Sequence, residues 1–202
     1  MSRTSQLREI VLQFDLNKHP FYNDWRHGTL PVDKLDRYAE DYGHFVNIIA
    51  DGWERIGQSD YAEEERVHHE LWLAFAKAVR DLRNGDGTTE GKPALAETGA
   101  LIDIVRTAFS APASAIGGLY AFEVQQPVTA QTKLDGLTEH YKVGADGEKY
   151  FEEHAGDWAE VDTLEGIIGD MSEEDFAKCR SACENVAQAM WNALDGIYGS
   201  KN

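Results

Sequence analysis

An all-α fold of seven helices is expected, on three observations. The apolar period is helical nearly everywhere, turn signals cut the chain into seven units, and no convincing strand pattern occurs. No repeat or composition shift divides it, so residues 1–202 are expected to form one domain with long helices and short connections.

The first unit carries Leu7, Ile10, Val11 and Phe14, then reaches the aromatic word HPFYNDW at 19–25. Gly28, Thr29 and Leu30 end it, and Pro31 can open the next helix, because a first-turn proline loses no intrahelical bond. The second unit shows Leu35, Tyr38, Tyr42, Phe45, Ile49, Trp53 and Ile56, one wide apolar stripe at spacings of 3, 4 and 7. Gly57 to Asp60 breaks it. A third helix, from about Ala62 to Leu82, turns Val67, Leu71, Trp72, Phe75 and Val79 inward. Residues 84–93 (NGDGTTEGKP) are Gly-rich without an apolar side chain and are expected to form a loop.

The fourth helix follows with Leu95, Leu101, Ile104 and Val105, and stops at Ser110-Ala111-Pro112. A fifth passes through GGLYAFEVQQP to about Leu137, with an expected kink at Pro127. A sixth covers roughly residues 147–168. Ser172-Glu173-Glu174-Asp175 has the form of a helix cap and opens the last helix.

Charge narrows the partners. There are 36 Asp plus Glu against 19 Lys plus Arg, a net charge of −17. Such a field repels phosphate backbones and anionic lipid, so neither nucleic acid nor membrane is an expected partner. High-salt adaptation and simple solubility both fit this acidity. No apolar run approaches the ~18 residues of a membrane span, the first residues lack a signal-peptide core, and a cytoplasmic address is expected. Cys179 and Cys183 share one helix face in mid-helix, where a disulfide seldom fits, and two core thiols are expected.

Inward acids and histidines in an apolar bundle need a partner, because an unpaired buried carboxylate is costly. Three segments raise the question. Glu65 and His68 form E-x-x-H, which puts a carboxylate and an imidazole on one face to grip a metal; the alternative is a solvated acidic face. Glu123 ends the apolar word LYAFE and would suit a bridging carboxylate; the alternatives are an ion pair with Lys133 or a rim position. His154, Asp157 and Glu160 are spaced by three and could share a face, or could decorate an exposed helix. His19, His27, His44, His69 and His140 are read as structural. No G-x-S-x-G, Walker A, G-x-G-x-x-G or C-x-x-C motif is present.

Four words together, HPFYNDWRHGTLPVDKLDRYAEDYGHF at 19–45, HHELWLAFA at 68–76, LYAFEVQQPVTAQTKLDGL at 119–137 and YFEEH at 150–154, resemble the haem-oxygenase-like superfamily. That superfamily includes TenA, PqqC and the CADD-like iron enzymes, and the CADD-like di-iron branch is the most similar. The resemblance implies a seven-helix bundle, a homodimer, and a pocket between the central helices. It implies iron held by Glu65 and His68, His68 standing four before Trp72, by Glu123, and by His154. In strict register the remaining positions fall on Trp158 and Val161, which cannot bind iron; a one-residue slip brings Asp157 and Glu160 there instead. Two irons with a substituted ligand, one metal, or none all remain open.

The resemblance further implies oxidation of a small molecule by dioxygen, and in the CADD-like branch the formation of p-aminobenzoate. There, a first-helix tyrosine, thought to be consumed, and a lysine ten residues after the glutamate match Tyr22 and Lys133. Tyr42 and Tyr120 are further candidates to shape the pocket or donate electrons. TenA-type hydrolysis needs a cysteine at the position of Gly117 and an acid at that of Ala187, so both groups are missing. A metal-free PqqC-like or TenA-like enzyme and a non-catalytic binding module stand as the other readings.

Overall fold

The computed structural model describes residues 1–83 and 93–200, so the expected loop at 84–93 lies almost wholly outside the described residues. Among the described residues the secondary structure is helical throughout, in twelve α-helical segments with a 3-10 turn at Leu16–Lys18 and a π turn at Leu137–Tyr141. The seven expected units account for them once their internal breaks are marked. The first unit is α1 (Arg3–Gln13), the 3-10 turn and α2 (Pro20–Arg26). His19 caps α2, its Nδ1 accepting from the Phe21 N–H, and Pro20 takes the first helical position.

The second unit is continuous in its apolar stripe but not in its backbone. It divides into α3 (Val32–Asp41), α4 (Gly43–Val46) and α5 (Ile49–Arg55). Trp72 Nε1 donates to the Ala39 carbonyl at 2.9 Å, the carbonyl that an unbroken helix would offer to the Gly43 N–H. A side chain at Gly43 would collide with that indole, so the break and the glycine belong to one packing solution.

The third unit is α6 (Ser59–Leu82), unbroken over 24 residues, and the fourth is α7 (Ala96–Ala108). The fifth divides into α8 (Pro112–Glu123) and α9 (Gln126–Gly136), followed by the π turn. Pro127 therefore lies in the first turn of a new helix and not inside a kinked one. The sixth divides into α10 (Ala145–His154) and α11 (Ala159–Asp170), where one helix was expected. The seventh is α12 (Glu173–Gly199), and Ser172 caps it by accepting from the Asp175 N–H.

α8 is the central rod. All residues from Ala115 to Glu123 are buried, as a helix enclosed on all sides requires. α12 packs along it, and Gly117 lets the backbones touch: a Cβ there would sit on the Cys179 carbonyl oxygen. Cys179 and Cys183 are buried free thiols on that contact, and burial pushes the Cys179 thiol up to about 12. α6 packs against α3, α5 and α10, with Trp25, Trp53 and Trp72 fully buried between them. No described helix is long and apolar enough to cross a membrane.

Candidate metal centre

Four helices aim polar side chains into this apolar interior. Glu65 and His68 come from the inner face of α6, where a spacing of three places them together. Glu65 is only 2% exposed, whereas its sequence neighbours Glu63 and Glu64 are solvated. Glu123 is the last residue of α8 and is 1% exposed. His154 is the last residue of α10, and Glu160 the second residue of α11.

The chain between those two helices fixes what the sequence left open. Gly156 takes φ +76°, a conformation that suits glycine, and its N–H donates to the Pro127 carbonyl at 3.2 Å. Asp157 Oδ1 then accepts from the Ala159 N–H at 2.9 Å and starts α11. His154, Asp157 and Glu160 thus do not share one helical face. Strict helical register would have turned Trp158 and Val161 to the site. Instead Trp158 is 38% exposed, Val161 packs into the core, and Glu160 turns inward.

Two groups of ligand atoms result, each within 4.8 Å: Glu65 with His68 and His154, and Glu65 with Glu123 and Glu160. Glu65 is common to both. The side chains are arranged around a point and not around each other. Both Glu65 oxygens, His68 Nδ1, Glu123 Oε2 and His154 Nε2 are buried without a hydrogen-bond partner. His68 Nδ1 stands 3.6 Å from Glu65 Oε1, too far for a good hydrogen bond. Five orphaned donor or acceptor atoms converging in one place fit a cation that would satisfy them together.

Supporting contacts orient the set. His154 Nδ1 lies 2.7 Å from the Tyr150 carbonyl, which can only accept. Nδ1 therefore carries the proton, and Nε2 presents its lone pair to the site. Trp53 Nε1 donates to Glu123 Oε1 at 3.3 Å, and Gln126 donates to the Tyr150 hydroxyl at 3.1 Å. Sequence reasoning missed Trp53 and Gln126, which no local pattern marks. The Tyr150–His154 pairing was legible as a helical spacing of four.

Electrostatics point the same way. Burial, then Glu160 and Glu65, push the Glu123 carboxyl well above the usual carboxylate range. Burial and Glu65 raise Glu160 to about 8. Burial lowers His154; at His68 burial also opposes the charge, but Glu65 and further carboxylates outweigh it and raise the pKa.

Lys133 and Tyr22 form a second cluster beside the first. Lys133 is 3% exposed, with Nζ 5.1 Å from the Tyr22 ring, 5.3 Å from Phe151 and 3.5 Å from the Tyr38 hydroxyl. Among the described residues no carboxylate pairs with it, so the expected alternative of a Glu123–Lys133 pair is not formed. Burial brings the Lys133 amine down to about 7. The Tyr22 and Tyr38 hydroxyls hydrogen-bond at 3.0 Å. Tyr38, Trp72 and Tyr150 then continue as a run of aromatic contacts toward His154, with ring centroids 5.6, 4.9 and 4.4 Å apart, the Trp72–Tyr150 pair edge to face. Tyr42 stacks on Tyr38, but Tyr120 points elsewhere and donates to Glu165 at 2.8 Å. Asp157 belongs to neither ligand group. It stands exposed at the rim of a cavity of about 300 Å³ that reaches His68, His154 and Glu160.

A model of a family described as iron-containing redox enzymes matches residues 52–163, the span that holds all five converging side chains. The chain belongs to this family. It is an oxidoreductase of the haem-oxygenase-like class. A 4-aminobenzoate synthase of Nitrosomonas europaea is 30% identical, over 96% of this chain and 89% of that one. A 4-aminobenzoate synthase of Chlamydia muridarum is 24% identical, over 98% and 90%. Among solved structures, a haem-oxygenase-like domain from Shewanella denitrificans superposes with a TM-score of 0.73 at 16% identity, covering 98% of this chain and 92% of that one. A TenA homologue from Pseudomonas syringae gives 0.72 at 16%, covering 96% and 92%. At that identity the structural likeness speaks for the fold alone.

Proposed function

We propose that this iron-containing redox enzyme forms 4-aminobenzoate with dioxygen, with Glu65, His68, Glu123, His154 and Glu160 as iron ligands. Asp157, exposed at the cavity rim with its Oδ1 accepting from the Ala159 N–H, belongs with the rim and not with these ligands. The observation that carries the reading is the convergence of orphaned buried ligand atoms on one point. Carboxylates and imidazoles suit ferrous iron, which when bound supplies electrons to dioxygen. One or two ions fit the two groups around Glu65.

The chain's own residues do the rest. Crowding with Glu65 and burial raise the pKa of Glu123 and Glu160, so without a metal protons relieve the crowding, and a bound cation would take the place of those protons. Tyr150 fixes the His154 tautomer, and Trp53 orients Glu123. Lys133, with a pKa of about 7, keeps a large fraction of free amine at neutral pH, packed over the Tyr22 ring. Tyr22 is the ring that the resemblance marks for consumption. A proton leaving the Tyr22 hydroxyl can pass to the Tyr38 hydroxyl, and Lys133 Nζ stands next in line. The buried aromatic rings exclude water from this cluster.

TenA-type hydrolysis finds no support, because position 117 is closed by the Cys179 backbone and the two thiols are buried and raised in pKa. The family resemblance supports a homodimer and a cytoplasmic address, and the net charge of −17 disfavours nucleic acid and anionic membrane as partners; light scattering of the purified protein tests the dimer.

The central test is anaerobic Fe(II) titration of wild type and Glu123→Ala, followed by admission of air and mass analysis of the small-molecule fraction. Iron in wild type, its loss in the variant, and 4-aminobenzoate that disappears in Tyr22→Phe and Lys133→Arg are expected. Near-zero iron in wild type rejects the ligand set; iron without 4-aminobenzoate rejects the substrate assignment.

A further inference from the structure

The cavity beside the ligand cluster has a feature that the ligand set does not use. Its floor is His68, His154 and Glu160, and its rim is Glu64, Glu153 and Asp157. Among the described residues no Lys or Arg lines it. The rim carboxylates are exposed, and none of the three has a cationic partner among the ion pairs of the described residues. At the floor, His154 is 3% exposed and its Nε2 has no hydrogen-bond partner. Elsewhere the site is walled by buried side chains: Trp53, which donates to Glu123, and Tyr150 beside His154 are fully buried. The opening exists because the helix breaks after His154 and restarts at Ala159.

The geometry points to this cavity as the entry route for the divalent cation, with Glu64 and Glu153 as steering residues that are not ligands of the finished centre. Fixed negative charge around a narrow mouth with low-dielectric walls focuses the field and raises the local cation concentration. Glu160 belongs both to the cavity and to the inner group with Glu65 and Glu123, so an ion reaching the floor meets the first ligand of the centre. The route rests on the ligand set proposed above.

The test follows Fe(II) uptake by the full-length, metal-free chain under anaerobic stopped flow, read by quenching of tryptophan fluorescence; Trp53 contacts Glu123 directly. Glu64→Gln with Glu153→Gln removes the rim charge at exposed positions. Its second-order uptake rate should fall about tenfold at low ionic strength, less at high salt, with iron content at saturation unchanged. Asp103→Asn with Glu184→Gln, exposed positions on α7 and α12, removes equal charge elsewhere and should leave the rate as in wild type. Either single rim change should give an intermediate rate. A rim pair that loads at the wild-type rate, or a control pair that slows as much, overturns the route and leaves the ligand set standing. Wild type that takes up no iron overturns both.

Discussion

Replacing Lys133 by methionine isolates the cost of keeping an amine in this interior. The side chain is 3% exposed, and its nitrogen has one polar neighbour, the Tyr38 hydroxyl at 3.5 Å. Burial takes its pKa from 10.5 to about 7. Between those values the unfolded chain holds a proton that the folded chain has released. Unfolding therefore takes up a proton, and stability rises with pH across that window. Below it both states are protonated and the penalty is constant. Each pKa unit is worth about 1.4 kcal/mol. From pH 7 to pH 9 the wild type should gain about 2 kcal/mol that a methionine variant cannot gain. Methionine nearly conserves the volume, so packing changes little and is the same at each pH. Urea unfolding of both metal-free proteins at pH 7, 8 and 9 measures the gap. The variant's advantage should narrow by that amount. A gap constant to within about 0.5 kcal/mol would show that the amine keeps its ordinary pKa, and the argument for a free amine beside Tyr22 would fall.

Two further outcomes concern the interior. Glu123→Gln removes one of three crowded carboxylates, and its amide can donate to the orphaned Glu65 oxygens. The metal-free protein should gain stability of order 1 kcal/mol while iron affinity falls, opposite signs that calorimetry and metal analysis read separately. Gly117→Ala would place a methyl on the Cys179 carbonyl and force α8 from α12. It should cost about 2 kcal/mol, or about 4–8 °C in Tm; an unchanged Tm would mean that the helices do not touch there.

Much of this architecture is legible in the sequence because helix ends are written locally. Ser172, Pro31 and Pro112 each stand at a helix start as expected. Glu65 and His68 meet because a spacing of three is a property of any α-helix. The breaks within the second, fifth and sixth units are harder to see. The apolar stripe runs on through Tyr42 and Phe45, and the interruption there depends on Trp72 reaching the Ala39 carbonyl, 33 residues away. Glu160 was visible only as one of two shifted alternatives, because its direction depends on the Gly156 turn and not on helical phase. The Trp53 contact to Glu123 joins residues 70 apart and leaves no local trace.

The turn at Gly156 also bears on how such chains can diverge. A rigid rod transmits every insertion as a rotation of 100° per residue, so two groups on it keep their mutual direction only if their separation is preserved. A swivel between them frees the downstream group from that arithmetic. Drift in the number of residues between His154 and the next inward carboxylate is then tolerated, provided the turn re-aims it. Searches that demand a fixed interval after this histidine will therefore pass over proteins whose interiors are nevertheless complete.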